Sequence, residues 1–278
     1  MQPGTIDIGT SGWKFDDWAG TFYPLRVPQT KWLEYYAARF PIGELNSTYY
    51  RIAPTSVYEA IARKTPPQFR LFAKVHADVT HKRENPETSL RNLLIALDPL
   101  QSDGKLLGLL AQFPGNFRYV PESVDYLKSL RDLCKGIRLC VEFRHRSWAG
   151  DEALQQIREL DLTWVSPDEP PLPDLMPRRF VATSDILYVR LHGRNAAAWY
   201  NREAGDRYDY EYSTEELTEI GREILAAEAP ARRGYVLFNN CYVGKAPRNA
   251  LWLKNYYAAL LETGGDQEPS DGFTLSAH

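Results

Sequence analysis

Eight short runs rich in β-branched and aromatic residues alternate with longer helical patterns along the chain, and this alternation restricts the fold more than any other sequence feature. The runs are Thr5 to Ile8, Ile42 to Leu45, Arg70 to Val75, Leu106 to Gln112, Leu139 to Phe143, Thr163 to Val165, Ile186 to Leu191 and Tyr235 to Phe238. Strands separated by helices are expected to be parallel, because parallel neighbours need a crossover connection and cannot share a hairpin. No linker or composition shift divides the units, and 278 residues is a length that an α/β barrel holds in one core. The pattern predicts a single (β/α)8 TIM-type barrel over residues 1–262, with a doubly wound open sheet as the alternative.

Helical spacing is clearest from Thr30, Thr55, Pro121, Asp151 and Ser213, with Thr30, Ser56 and Ser213 as expected N-caps. The Pro-rich stretch "SPDEPPLPDLMPRRF" from Ser166 reads as a long irregular loop. The segment 263–278, "TGGDQEPSDGFTLSAH", lacks periodicity and is rich in Gly, Ser and Asp, so it is expected to be a disordered tail.

A net charge of -3 gives no global attraction to nucleic acid or an anionic membrane, so anion recognition would need a local concentration of charge. Cys134, Cys140 and Cys241 form no C-x-x-C pair and read as free thiols of a cytoplasmic protein. Packing is the commoner role for such residues, and thiolate chemistry at Cys241 the rarer one. The most apolar run, "KLLGLLAQF" from Lys105, is far short of a membrane span.

Barrel ligand sites lie at the C-terminal strand ends. There the sequence places "GTSGW" at Gly9, "ELNSTYY" at Glu44, "AKVHADVTH" at Ala73, "QFP" at Gln112, "EFRHRSW" at Glu142, "SPDEP" at Ser166, "RLHGR" at Arg190 and "FNNCYVGKAPRNA" at Phe238, while the opposite ends carry little of note. Residues two apart share a strand face, which pairs Glu44 with Asn46, Lys74 with His76, Glu142 with Arg144 and Arg190 with His192. Lys74, Arg144, Arg190, Arg194, Lys245 and Arg248 outnumber Glu44, Glu142 and Asp168, so the mouth is expected to be basic and its ligand anionic. The competing reading is a self-satisfied ion network among Glu44, Glu142, Arg144 and Arg190.

His192, on a rigid strand, is the expected proton carrier, with Glu142 and Glu44 as further catalytic candidates. The helix after the eighth strand, with Pro247 in its first turn beside Lys245 and Arg248, suggests a phosphate site. Tyr49, Trp148 and Tyr200 are the aromatics most suited to meet a ligand. No metal motif is present; Glu44, Glu142 and His192 could converge on a divalent ion, but the neighbouring cations oppose it. No Gly-rich nucleotide loop occurs, and no cofactor is signalled.

The ordered set "GTSGW", "FYP", "ELNSTYY", "FAK", "TH", "QFP", "EFRHRSW", "RLHGR", "FNN" and "APRNA" resembles the YecE-like family, domain of unknown function 72, from about Gly9 to Leu260. That resemblance implies a TIM-type barrel, in a family whose activity is not established. It makes Ser11, Glu44, Asn46, Lys74, His81, Gln112, Glu142, Arg144, Arg190, His192 and Asn239 candidates for a shared site. Cys241 departs from the pattern, where a Thr is expected in many relatives. The leading expectation is an enzyme binding an anionic small molecule, with Arg190, Arg194 and Lys74 holding the anion, His192 or Glu142 moving a proton, and Glu44 with Asn46 orienting the substrate. The alternatives are a metal-assisted phosphodiesterase acting on nucleic acid and a non-catalytic sensor of an anionic metabolite.

Overall fold

The first strand pairs in parallel with both the second and the eighth, so the sheet closes on itself and the open-sheet alternative falls. The computed structural model describes residues 1–201, 203, 205–227 and 231–263. In chain order the elements are β1 (Ile6–Thr10), α1 (Trp32–Ala37), β2 (Ile42–Leu45), α2 (Thr55–Lys64), β3 (Arg70–Lys74), α3 (Ala77–Thr80), α4 (Pro86–Ser102), β4 (Leu106–Gln112), α5 (Pro121–Leu133), β5 (Leu139–Glu142), α6 (Asp151–Glu159), β6 (Thr163–Asp168), β7 (Ile186–Leu191), α7 (Thr214–Ala226), β8 (Arg233–Phe238) and α8 (Lys245–Glu262). The architecture is a (β/α)8 TIM-type barrel, and no helix among the described residues is long and apolar enough to cross a membrane.

Two units depart from a strict β-then-α repeat. Two helices follow β3, and the longer, α4, buries Leu90, Leu93, Leu97 and Leu100 along one helical face. No regular helix lies between β6 and β7, where the prolines of the predicted irregular loop remove helical amide donors. Nearly all of the expected tail, 264–278, lies outside the described residues.

Of the three expected caps, Ser213 alone caps a helix. Its hydroxyl accepts from the Glu216 amide and the Glu216 carboxylate accepts from the Ser213 amide, a reciprocal capping box. Thr30 lies in a 3-10 turn before α1, and Ser56 lies inside α2, which starts after Pro54. Ser213→Ala is expected to destabilise the protein by about 1 kcal/mol and lower the thermal midpoint by about 3 °C, measurable by calorimetry.

Strand alternation divides the apolar core in two. One part lies between sheet and helices; the other, inside the barrel, holds Ile42, Phe72, Leu110, Cys140, Val165, Ile186, Tyr188, Tyr235 and Leu237. Phe72 and Tyr188 stack at its centre with ring centroids 4.1 Å apart. The next inward residue along several strands is polar, so Glu44, Lys74, Gln112, Glu142, Arg190 and Asn239 form a layer above the apolar plug. The opposite end is richer than the sequence reading allowed. Arg138 pairs with Asp185 at 2.8 Å and Arg233 with Asp7 at 3.0 Å beside clefts of about 340 and 510 Å³.

Candidate functional site

Arg190 stands at the centre of the polar layer and is 2% exposed. Its Nη2 and Nε donate to the two oxygens of Glu44 at 2.6 and 2.9 Å, and its Nη1 donates to Glu142 Oε2 at 2.5 Å. Tyr188 donates to Glu44 Oε2 at 2.6 Å, and Ser11 Oγ lies 3.4 Å from Arg190 Nη2. A guanidinium that grips one carboxylate bidentately and a second through its other terminal nitrogen spends three of its five donors on protein carboxylates. Arg190 is therefore committed to the protein, as the ion-network reading proposed, and the expectation that it holds a ligand loses its geometric basis.

Glu142 reaches a second arginine. Its Oε1 lies 2.6 Å from Arg144 Nη2, whose other terminal nitrogen, Nη1, donates to Glu169 Oε2 at 2.6 Å. The two arginines hold the Glu142 carboxyl well below the usual carboxylate range despite its complete burial. Its Oε1 nonetheless receives no well-directed hydrogen bond, which leaves one buried lone pair aimed among cations. Glu169 behaves oppositely: burial, opposed by Arg144, raises its pKa to about 7.

His192 is fully buried with Arg144 Nη2 3.0 Å from its Nε2. The same Nε2 lies 3.2 Å from Glu142 Oε1, and the Asn239 side-chain amide nitrogen lies 2.9 Å from Nδ1. Burial first and the Arg144 charge second depress the imidazole to about 3, so it stays neutral. A ring so held orients Arg144 rather than shuttling protons at neutral pH.

Lys74 is the exception among the inward cations. It is half-buried, its Nζ donates to Gln112 Oε1 at 3.0 Å and lies 4.5 Å above the Tyr49 ring, and no carboxylate pairs with it among the described residues. Burial, then the Arg190 charge, lowers its pKa to about 8. Beside it, His81 meets Tyr49 edge to face at 5.0 Å and is lowered to about 4, chiefly by burial and then by Lys74. Asn46 donates to the Ser11 carbonyl at 2.8 Å, so it fixes the β1 end next to the mouth.

Three expected cations lie elsewhere. Arg194 grips Asp168 bidentately and Glu216 at 2.8 Å, joining the end of β6 to α7. Asp168 faces away from the barrel axis, where Tyr212 also donates to it at 2.6 Å. Lys245 pairs with Asp209, and Arg248 grips Glu211 at 2.9 and 3.1 Å. Pro247 is the third residue of α8 and not its first, so the suggested phosphate site at this terminus has both cations engaged. The six-to-three excess read from sequence thus shrinks to an inward set of Lys74, Arg144 and Arg190 facing Glu44, Glu142 and Glu169.

The metal reading meets the same geometry. Glu44, Glu142 and His192 do converge, but the Arg190 guanidinium lies between the two carboxylates. No group of three metal-binding side chains is arranged to hold an ion among the described residues. Burial raises the Cys241 thiol far above its ordinary range, which argues against a thiolate there. Trp148 is also structural: it is fully buried, stacks on Phe143 at 3.8 Å and donates to the Phe117 carbonyl. Tyr200 is exposed and helps line a cleft of about 650 Å³ with Trp199, Arg207 and Tyr208; Arg144 lies 6.0 Å from the Trp199 ring. Glu169 and Tyr188 are not among the residues the sequence singles out, although "SPDEP" and the strand carrying Tyr188 both end at the mouth.

Comparison with known proteins agrees with this architecture. The family model described as "Protein of unknown function DUF72" matches residues 7–270. The UPF0759 protein YunF of Bacillus subtilis is 30% identical over 261 residues, covering 88% of this chain and 92% of that protein. A crystal structure of a DUF72 family protein from Thermotoga maritima superposes with a TM-score of 0.83 at 38% identity, covering 93% of this chain and 99% of that one. A DUF72 family protein from Enterococcus faecalis gives 0.80 at 27% identity, covering 90% and 94%.

Proposed function

The chain belongs to the DUF72 family, and from that premise we propose that it is an acid/base enzyme acting on a small substrate bearing a carboxylate or phosphate, bound at the C-terminal mouth of the barrel. The observation that carries this reading is Lys74, a desolvated cation at the mouth with no carboxylate partner among the described residues. A positive charge left over beside neutralised neighbours is where an anion gains most. Arg144, held by Glu142 on one side and by a Glu169 that titrates near neutrality on the other, supplies the second anchor. When Glu169 carries a proton, its claim on Arg144 weakens and the guanidinium can turn a donor to the ligand.

Two groups near pH 7 to 8, Lys74 and Glu169, sit beside two groups pushed far from it, Glu142 and His192. Such separation is the environment acid/base sites build. Proton movement is accordingly assigned to Lys74 and Glu169, and positioning to Glu142, His192, Asn239 and Gln112.

Calorimetric titration with acetate and inorganic phosphate tests the reading. Binding is expected to be strongest below pH 7, where Glu169 is neutral and Lys74 charged. Each group that loses its proton as pH rises can weaken affinity by up to about tenfold per pH unit. Arg144→Lys, which keeps a positive charge between Glu142 and Glu169 but loses the guanidinium fork, should weaken binding by roughly tenfold or more, with folding checked by the thermal midpoint. Affinity that is flat from pH 6 to 9, or untouched by Arg144→Lys, would overturn the assignment.

A further inference from the structure

We propose that Lys74 is a carbonyl-trapping amine, so that the substrate at this mouth is a small aldehyde or 2-oxo acid that also carries the anionic group. The inference rests on the mouth reading given above and narrows its substrate class. Three geometric facts support it. Lys74 Nζ has an uncharged acceptor, Gln112 Oε1 at 3.0 Å, and an aromatic face, Tyr49 at 4.5 Å, in place of a carboxylate. The side chain is half-buried, so the amine is desolvated yet reachable. It stands on a barrel strand, with its stem rising from the apolar plug beside Phe72, which fixes where the nitrogen points.

The charged groups facing it are Arg190 on β7, Glu44 on β2, Glu142 and Arg144 at β5, and His81 after α3. Arg190 and Arg144 disfavour the ammonium, while Glu44 and Glu142 favour it but are already claimed by Arg190. The balance leaves a free-amine fraction at neutral pH that an ordinary surface lysine lacks.

The step is balanced within the complex. The Nζ lone pair attacks the carbonyl carbon and the C=O π pair moves to oxygen, which takes a proton to give a carbinolamine. The hydroxyl then departs as water as the nitrogen pair forms the C=N bond, so both amine protons leave with the carbonyl oxygen. The imine withdraws electrons from the adjacent carbon, and Arg144 holds the anionic end meanwhile.

The test uses the full chain, glyoxylate as probe and cyanoborohydride to reduce any imine, with peptide mass spectrometry to locate the product. Near pH 7.5, Lys74 should be modified roughly tenfold faster than the exposed Lys31 and Lys128, because more of it is free amine. Its rate should level off near pH 8. Modification of Lys74 no faster than of Lys31 overturns the proposal. Calorimetry with acetate is read separately, so an intact anion affinity beside slow trapping sinks the amine chemistry alone. Lys74→Arg, which keeps the charge but has no usable lone pair, should remove the fast phase of glyoxylate incorporation into the whole chain and leave only the slow rate of the surface lysines; a fast phase that persists in that variant would also overturn the assignment.

Discussion

Arg190→Met should lower stability by roughly 3–5 kcal/mol, because it strands the buried Glu44 carboxylate and leaves Glu142 with Arg144 as its remaining guanidinium partner. For a domain of this size that is a fall in thermal midpoint of roughly 10 °C, readable by calorimetry. The loss comes chiefly from Glu44, at 1% exposed, which then lacks a cationic partner inside a closed barrel, and in part from Glu142, which loses one of its two. Combining Arg190→Met with Glu44→Gln and Glu142→Gln removes the stranded charges and should recover more than half of the loss. A single variant as stable as the parent would show that water reaches this layer freely. Substituting Arg190 is consequently a poor probe of ligand binding, since it perturbs the fold before it tells anything about the mouth.

Gly9→Ala is expected to destabilise by roughly 3 kcal/mol through overpacking at a backbone that has no side chain to move aside. A Cβ at Gly9 would stand 2.1 Å from the Ile42 carbonyl oxygen, across a β1–β2 seam held by only two register pairs, Gly9 with Ile42 and Thr10 with Gly43. Relief requires the seam to open. Gly115→Ala, where an added Cβ meets nothing within 4 Å, is the control and should change stability by less than about 0.5 kcal/mol. Urea denaturation of both variants gives the comparison, and equal midpoints would mean the seam yields without strain.

The barrel was legible because its signal is a count: eight alternating units survive errors at every boundary. The ends of strands were less so. β6 runs to Asp168, three residues beyond the expected Val165, because Ser166 and Pro167 take part in pairing with β7 that no local propensity announces. Strand parity placed Glu44, Lys74, Glu142, Arg190 and His192 inward correctly, since a period of two is fixed by backbone geometry. Partnership was invisible. Whether Arg190 faces a ligand or Glu44, 146 residues away, depends on closure of the whole sheet. Glu169 was missed for the same reason, as its pairing with Arg144 brings a loop residue onto a strand end 25 positions earlier. Lys245 and Arg248 read as ligand-binding because Asp209 and Glu211 lie in a separate loop that gave no periodic signal.

The Glu44–Arg190–Glu142 bridge also bears on how the molecule assembles. Its members come from β2, β5 and β7, so no contiguous half of the barrel contains all three, and Arg190 meets Glu44 only when distant strands have docked. Their desolvation is therefore tied to ring closure. Reopening the ring must separate all three charges, so the β7 amides are expected to exchange with solvent slowly, which native-state hydrogen exchange reads.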